Sequence, residues 1–324
     1  MERKPMQVGV TGSSGFLGSH LTNALHQLAD FEVTTLKRNS SGKFPKTNEL
    51  KSFVENLDLI YHVAGVNRGT NEEILKGNIQ STFNLLEAIK KYGKSSLRII
   101  FTSASQVYKK TNLPGKLITE TYKTEPGTLY GVAKKTAEDL IRLSGFEYVI
   151  MRISNIYGPG CLPNYNSVIA TFCHRSVNGE CLKIDGNGHQ KRDFIYIDDT
   201  IQAMILAGIQ RGKLVSGIYN IGTGKSRTFN SLASALCSDT NRGEIEYIPF
   251  PKDLTKNYQP YTQADMSKLS SKGFKFEPIS IEVGVEKYVR CCHFGIWHVA
   301  KDMCSFSECF CNVIIMSICN NSCP

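Results

Sequence analysis

The stretch TGSSGFLGSHL, residues 11–21, decides the fold. It joins an apolar run, QVGVTG (7–12), to SHLTNALHQL (19–28), whose apolar residues recur at helical spacing. Gly12, Gly15 and Gly18 fall between the two. Glycines at a strand-to-helix turn let the backbone bend tightly and approach a pyrophosphate, and the helix start offers unpaired N–H donors. Three glycines alone read equally well as a turn with no ligand. Flanked by this strand and this helix, they predict a dinucleotide site with Gly12, Gly15, Phe16, Leu17 and Gly18 as its candidate residues.

Working outward, apolar runs and helical patterns alternate. FEVTTL (31–36), DLIYHVAG (58–65), LRIIFTSA (97–104) and YVIMRIS (148–154) read as buried strands, and NIQSTFNLLEAIKKYG (78–93) and YGVAKKTAEDLIRLSG (130–145) as helices. That order predicts an α/β protein with a Rossmann-type, doubly wound parallel sheet, which binds its ligand at the carboxyl ends of the strands. The cofactor domain is expected over residues 1–160, with segments near 193–225 returning to it. Beyond residue 160 Gly and Pro clusters loosen the pattern, and 161–192 and 226–290 read as a smaller C-terminal substrate domain.

With 41% hydrophobic and 21% charged residues, the chain has an ordinary globular composition, which excludes wholesale disorder. The net charge of +9 is spread along the chain and no nucleic-acid motif accompanies it, so an anionic small molecule is the expected partner. No apolar run is long enough to span a bilayer, and the N-terminus does not read as a signal peptide. A cytoplasmic protein with no membrane partner and no metal site is expected.

Lys37 and Arg38 stand nineteen and twenty residues after Gly18, where an acidic residue usually grips the adenosine ribose. Cations there would pair with a 2′-phosphate, so the cofactor is read as NAD(P) with a lean to NADP. The other reading is an exposed basic pair on a loop. Tyr130 and Lys134, in YGVAK (130–134), lie one helical turn apart on one face. A phenol is a poor base at neutral pH; a nearby ammonium favours its phenolate, making a general acid/base beside a hydride-transfer site.

These motifs together resemble the extended short-chain dehydrogenase/reductases, specifically the NAD(P)-dependent epimerase/dehydratases of nucleotide sugars. The likeness runs from residue 7 to about 290, through TGSSGFLGS, DLIYHVAG, NIQSTFNLLEA, YGVAK, MRISNIYGPG, GNGHQKRDFIYIDD and YNIGTG. It implies Tyr130 and Lys134 as catalytic residues and adds Ala64 and Asn78 to the cofactor site. It also implies Asn155 and Arg192 as nucleotide-sugar ligands, the alternative being a structural amide and a surface ion pair of Arg192 with Asp193. The stretch Gly243–Phe274 resembles the end of ADP-glyceromanno-heptose 6-epimerases, but their second lysine base has no counterpart, Asn164 falling there.

A second departure concerns FTSASQVY (101–108). The family's catalytic Ser or Thr lies four residues before the tyrosine, which here is Ala104. On a regular strand Ser103 and Ser105 share one face and Ala104 the other. Ser105, turned by a local bulge, is the candidate replacement. Ser105-Gln106 also stand where the family's dehydratases carry an acid and a base, which argues against dehydration.

The expected function is an NAD(P)-dependent epimerase acting on a nucleotide-activated sugar, as a homodimer through two long helices. A one-way NADPH-dependent reductase and a non-catalytic NADP-binding sensor stay open. Seven of the eleven cysteines crowd into residues 291–324, an atypical segment expected to be an unstructured tail starting after a helix that ends at Arg290.

Overall fold

The computed structural model describes residues 4–160, 167–240, 244–251, 258–274 and 277–293. Six strands form the main sheet, all parallel: β1 (Met6–Thr11), β2 (Phe31–Thr35), β3 (Leu59–His62), β4 (Arg98–Ala104), β5 (Glu147–Ile153) and β9 (Gly217–Ile221), in the order β2-β1-β3-β4-β5-β9. Side chains alternate across a strand, and here the alternation splits the core in two. Leu59, Tyr61, Ile100, Val149 and Met151 join one apolar cluster; Ile60, Ile99, Phe101 and Ile150 join the other.

Helix α1 (Phe16–His26) supplies Leu21 and Leu25 to the first cluster, and α5 (Ile197–Ile209) supplies Ile201 and Ile205. On the other face, α2 (Ser81–Tyr92) supplies Leu85 and Ile89, and α3 (Leu129–Leu143) supplies Ala137 and Ile141. Two-sided burial explains why these strands read as continuous apolar runs.

The second half is built from shorter pieces. β6 (Asn155–Tyr157) pairs in parallel with β8 (Lys191–Tyr196), which pairs antiparallel with β10 (Ser226–Thr228). β7 (Leu182–Asp185) pairs with β11 (Ile245–Ile248). Helices α4 (Val168–Val177), α6 (Phe229–Thr240) and α7 (Ile281–His293) pack with them.

Three boundaries differ from expectation. α1 begins at Phe16 rather than Ser19, because the glycine turn closes within four residues through Gly15 N–H donating to Gly12 O at 3.0 Å. Within the expected 193–225 return, the residues up to Tyr196 belong to the three-stranded sheet, as does Asn155, and the main sheet itself resumes at β9. The last helix runs past Arg290 to His293, and Cys291 and Cys292, placed by the sequence reading in the tail, are buried. A cysteine behaves as a small hydrophobe, which is enough to continue an amphipathic face. Residues 294–324, like Asn164, lie outside the described residues.

Candidate active site

The glycine turn, Lys37 and Arg38, Ala64 and Ser105 follow the carboxyl ends of β1 to β4, whereas Arg192 comes from β8 of the three-stranded sheet. After β1, Gly12 adopts φ +74, and a Cβ there would meet Ala64 N at 2.7 Å. At Gly18 a Cβ would lie 2.0 Å from Gly12 O. Both positions therefore admit only glycine. Gly15 caps α1 with no side-chain bond, which leaves the first turn, Phe16 and Leu17 included, open to an anion.

Asn78 sits in a π-helical turn, Lys76–Gln80, that takes the place of the first residues of the predicted 78–93 helix; such turns are frequent at functional sites. Its Nδ2 donates to Val66 O (2.7 Å) and Ile74 O (2.8 Å), which fixes the amide's orientation. Its Oδ1 is buried and has no hydrogen-bond partner among the described residues. A Cβ on Gly65 would lie 2.8 Å from that oxygen and 3.1 Å from Lys134 Nζ, so Gly65, Asn78 and Lys134 converge at one point. A glycine cradle, an uncapped helix start and a lone buried acceptor suit a dinucleotide with ribose hydroxyls to donate.

Tyr130 lies in the first turn of α3, whose N-cap Thr128 accepts from Gly131 N–H. Burial pushes the Tyr130 phenol up to about 12 and draws the Lys134 ammonium down to about 8. Lys134 Nζ donates to Thr102 O at 2.9 Å, stands 4.7 Å from the Phe101 ring centroid, and is 5.9 Å from that of Tyr130. The pair is assembled, with the lysine held by the backbone of β4.

The two serines separate here. β4 ends at Ala104 and a 3₁₀ turn, Ser105–Val107, follows, so regular alternation stops before Ser105. Ser103 turns toward α3 and donates to Glu138 at 2.5 Å. Glu138 is fully buried and holds Arg152 by Nε (2.9 Å) and Nη2 (2.6 Å). Ser105 is half-buried and makes no side-chain hydrogen bond among the described residues. Sequence reasoning missed Glu138 and Arg152, although Glu138 stands one turn after Lys134 on the same helix.

Arg192 and Asp193 do not form the surface ion pair held open above. Asp193 is completely buried and accepts from Thr223 N (2.9 Å), Thr223 Oγ1 (2.7 Å), Gly224 N (3.1 Å) and Ala264 N (3.0 Å). Burial raises its pKa against these bonds. Arg192 has no carboxylate partner among the described residues; its Cζ lies 5.0 Å from the Tyr258 ring centroid and 5.9 Å from that of Phe229. Its Nη1 donates to Lys191 O at 2.9 Å, and the remaining donors of this half-buried guanidinium suit an anion. Asn155, half-buried, makes no side-chain bond among the described residues. Lys37 and Arg38 are exposed just beyond β2, and Arg38 Nη1 donates to Gly42 O at 2.9 Å.

Two cavities accompany these features. One of about 320 Å³, lined by Asn112, His189, Lys191, Tyr258 and Tyr261, adjoins Arg192 through Tyr258. A larger one, about 490 Å³, lies at the amino ends of the strands, away from the site, and its Lys94 and Arg211 are engaged by Asp58 and Glu147.

Residues 8–222 match the NAD dependent epimerase/dehydratase family, and the chain belongs to it. The match ends before the Gly243–Phe274 stretch. Among solved structures it is similar to the UDP-glucose 4-epimerase of Thermotoga maritima in complex with UDP-glucose: 28% identity over 90% of this chain and 99% of that one, TM-score 0.79. It is also similar to the UDP-N-acetylglucosamine 4-epimerase of Methanobrevibacter ruminantium with UDP-N-acetylmuramic acid, at 27% identity, 90% and 100% coverage and TM-score 0.77. The fold is shared as well with the UDP-glucose 4-epimerase of Thermus thermophilus in complex with NAD, at 24% identity, 88% and 98% coverage and TM-score 0.75. Among the described residues no helix is long and apolar enough to cross a membrane.

Proposed function

We propose that the protein is a nucleotide-sugar 4-epimerase acting on a UDP-sugar with a resident NAD(P). The observation that carries this is the convergence of Tyr130 and Lys134 with the glycine cradle and Asn78 at one edge of the sheet. When bound, the dinucleotide would supply reversible hydride acceptance at a sugar carbon. Gly12, Gly15 and Gly18 would admit its pyrophosphate, and Asn78 Oδ1 and Lys134 would hold a ribose.

Tyr130 removes the proton from the sugar hydroxyl as hydride leaves and gives it back on return. At a pKa of about 12 it cannot do so unaided at neutral pH. The charge of Lys134 supplies the bias, and burial limits how much of that charge is kept. Arg192, on its aromatic seat, takes the diphosphate, and Asn155 donates to sugar or phosphate oxygens. Ala104 presents a methyl where the family has a hydroxyl, so one hydrogen bond to the reacting oxygen must come from elsewhere. Ser105, unengaged at the start of the next turn, is the candidate.

Lys37 and Arg38 favour NADP over NAD, and the ratio of the two dissociation constants tests it; a clear NAD preference overturns that choice. The protein is read as a homodimer through α2 and α3, where Phe83 and Val132 are large exposed apolar residues. A monomeric mass in solution contradicts this.

The test of function is incubation with a panel of UDP-, GDP- and ADP-sugars, with bound cofactor identified by mass spectrometry. Isomer formation without net cofactor consumption is expected. Stoichiometric NADPH oxidation would mean a reductase. Neither isomer nor tightly bound cofactor would favour the sensor reading, which Ala104 motivates.

A further inference from the structure

Thr11 and His62, the last residues of β1 and β3, stand opposite each other in the parallel ladder. His62 is buried against Phe101, with ring centroids 5.5 Å apart, and neither ring nitrogen reaches solvent. Nδ1 is 2.8 Å from Thr11 Oγ1, and Nε2 is 2.9 Å from Thr82 Oγ1.

Donor and acceptor counting fixes the tautomer. The Thr82 hydroxyl donates its one proton to Asn78 O at 2.6 Å, so it accepts from His62 and Nε2 carries hydrogen. Nδ1 is then a bare acceptor, and Thr11 donates to it. The Thr11 oxygen in turn accepts from Ala64 N–H at 3.1 Å. The line runs Ala64 N–H to Thr11, Thr11 to His62, His62 to Thr82, and Thr82 to the Asn78 carbonyl, each group used in one sense. Its two ends are residues of the candidate dinucleotide site, and Thr11 directly precedes Gly12. Adding a proton to His62 would leave Thr11 facing a donor, and burial together with the charge of Lys134 holds the ring neutral, with its pKa drawn down to about 3.

We propose that His62 is a positioning residue for the dinucleotide: through Thr11 and Thr82 it locks the loop after β3 and the Asn78 turn to the glycine cradle. It touches no ligand. Its effect is to hold the Asn78 Oδ1, the Ala64 backbone and Gly12 in one register before the cofactor arrives, so that binding does not have to order them. This rests on reading the site as a dinucleotide site.

The test is NADPH and NADH titration by fluorescence on the full chain and on Thr11→Val, Thr82→Val and the double variant, with Thr11→Ser and Thr82→Ser as hydroxyl-retaining controls. Each valine variant is expected to bind about tenfold more weakly, the scale of one internal hydrogen bond. The serine variants should bind like the wild type. Because both valines cut one line, the double variant should lose little more than either single one. Unchanged affinity in both single variants overturns the proposal, as do losses that multiply in the double variant. If the valine variants fail to fold, His62→Gln, which keeps a donor and an acceptor, must bind more tightly than His62→Leu; equal affinities overturn it. A wild-type chain that binds neither dinucleotide removes the dinucleotide reading and the relay together, whereas binding that ignores the variants removes the relay alone.

Discussion

The candidate cofactor and substrate sides of this site are built differently: backbone shape and one buried Thr11–His62–Thr82 line make the first, and loops gathered on the Asp193 and Asn220 hubs make the second. Around the glycine turn the backbone itself makes the site. Gly12 and Gly18 leave room that any Cβ would fill, and strands β1, β3 and β4 are fixed by two-sided apolar burial. Beyond residue 154 most strands pair in two small sheets, and buried polar side chains hold the segments together. Asp193 gathers Thr223, Gly224 and Ala264. Asn220 receives Tyr108 OH at 2.6 Å and donates to Ile118 O at 2.7 Å and Asp265 O at 3.2 Å. A ligand held by backbone shape needs only a fixed local geometry, so one glycine pattern serves many chains. A ligand held between loops depends on hubs, and one lost carboxylate should loosen several segments at once.

The largest expected effect is chemical. Tyr130→Phe should lower kcat by about 10²–10⁴-fold, the range for a positioned acid/base, while leaving NADPH affinity nearly unchanged. A parallel loss of affinity would mean that the phenol holds the cofactor instead. On the substrate side, Asp193→Ala removes the acceptor of four donors, the Ala264 N–H buried and those of Thr223 and Gly224 half-buried, and should cost about 3 kcal/mol in urea unfolding. A small cost would show that the loops are held by something other than this hub.

On the cofactor side, Gly18→Ala must displace the Gly12 carbonyl, costing about 1–3 kcal/mol and most of the dinucleotide affinity. Ser103→Ala should cost about 1 kcal/mol of stability by shortening the coordination of Glu138, whereas Ser105→Ala should cost none and lower turnover. The reverse result would return Ser103 to the catalytic role.

The smallest effect at neutral pH is a titration. His62 has a folded pKa of about 3 against an ordinary 6.5. The unfolded chain therefore binds its proton first, and stability from this group is full above pH 6.5 and declines as pH falls toward 3. His62→Gln should flatten that part of the stability profile; an unchanged slope would show that the ring is already charged.

Much of the cofactor side was legible in the sequence, because period-2 and period-3.6 patterns and glycine sterics are local. Tyr130 and Lys134 were legible for the same reason, one turn of helix bringing them to one face. Asp193, Asn220 and Arg152 were not, since their partners lie 14 to 112 residues away and no local pattern encodes them. Ser103 and Ser105 were only half legible. Alternation put Ala104 opposite Ser103, but the end of the strand, which sets where Ser105 points, depends on the packing of α3 against the turn. There a Cβ on Gly131 would lie 2.6 Å from Gln106 O. The helix that carries the candidate pair, Tyr130 and Lys134, thus also shapes the turn that carries the candidate hydroxyl.

The central claim is that this site oxidises and re-reduces one sugar carbon. The most direct measurement follows a UDP-sugar deuterated at C4, incubated with the purified protein in ordinary water. The C4 epimer is expected with its deuterium retained, as it would be if hydride passes to a resident cofactor and returns. Deuterium lost to solvent, or recovery of a single unaltered isomer, would contradict it.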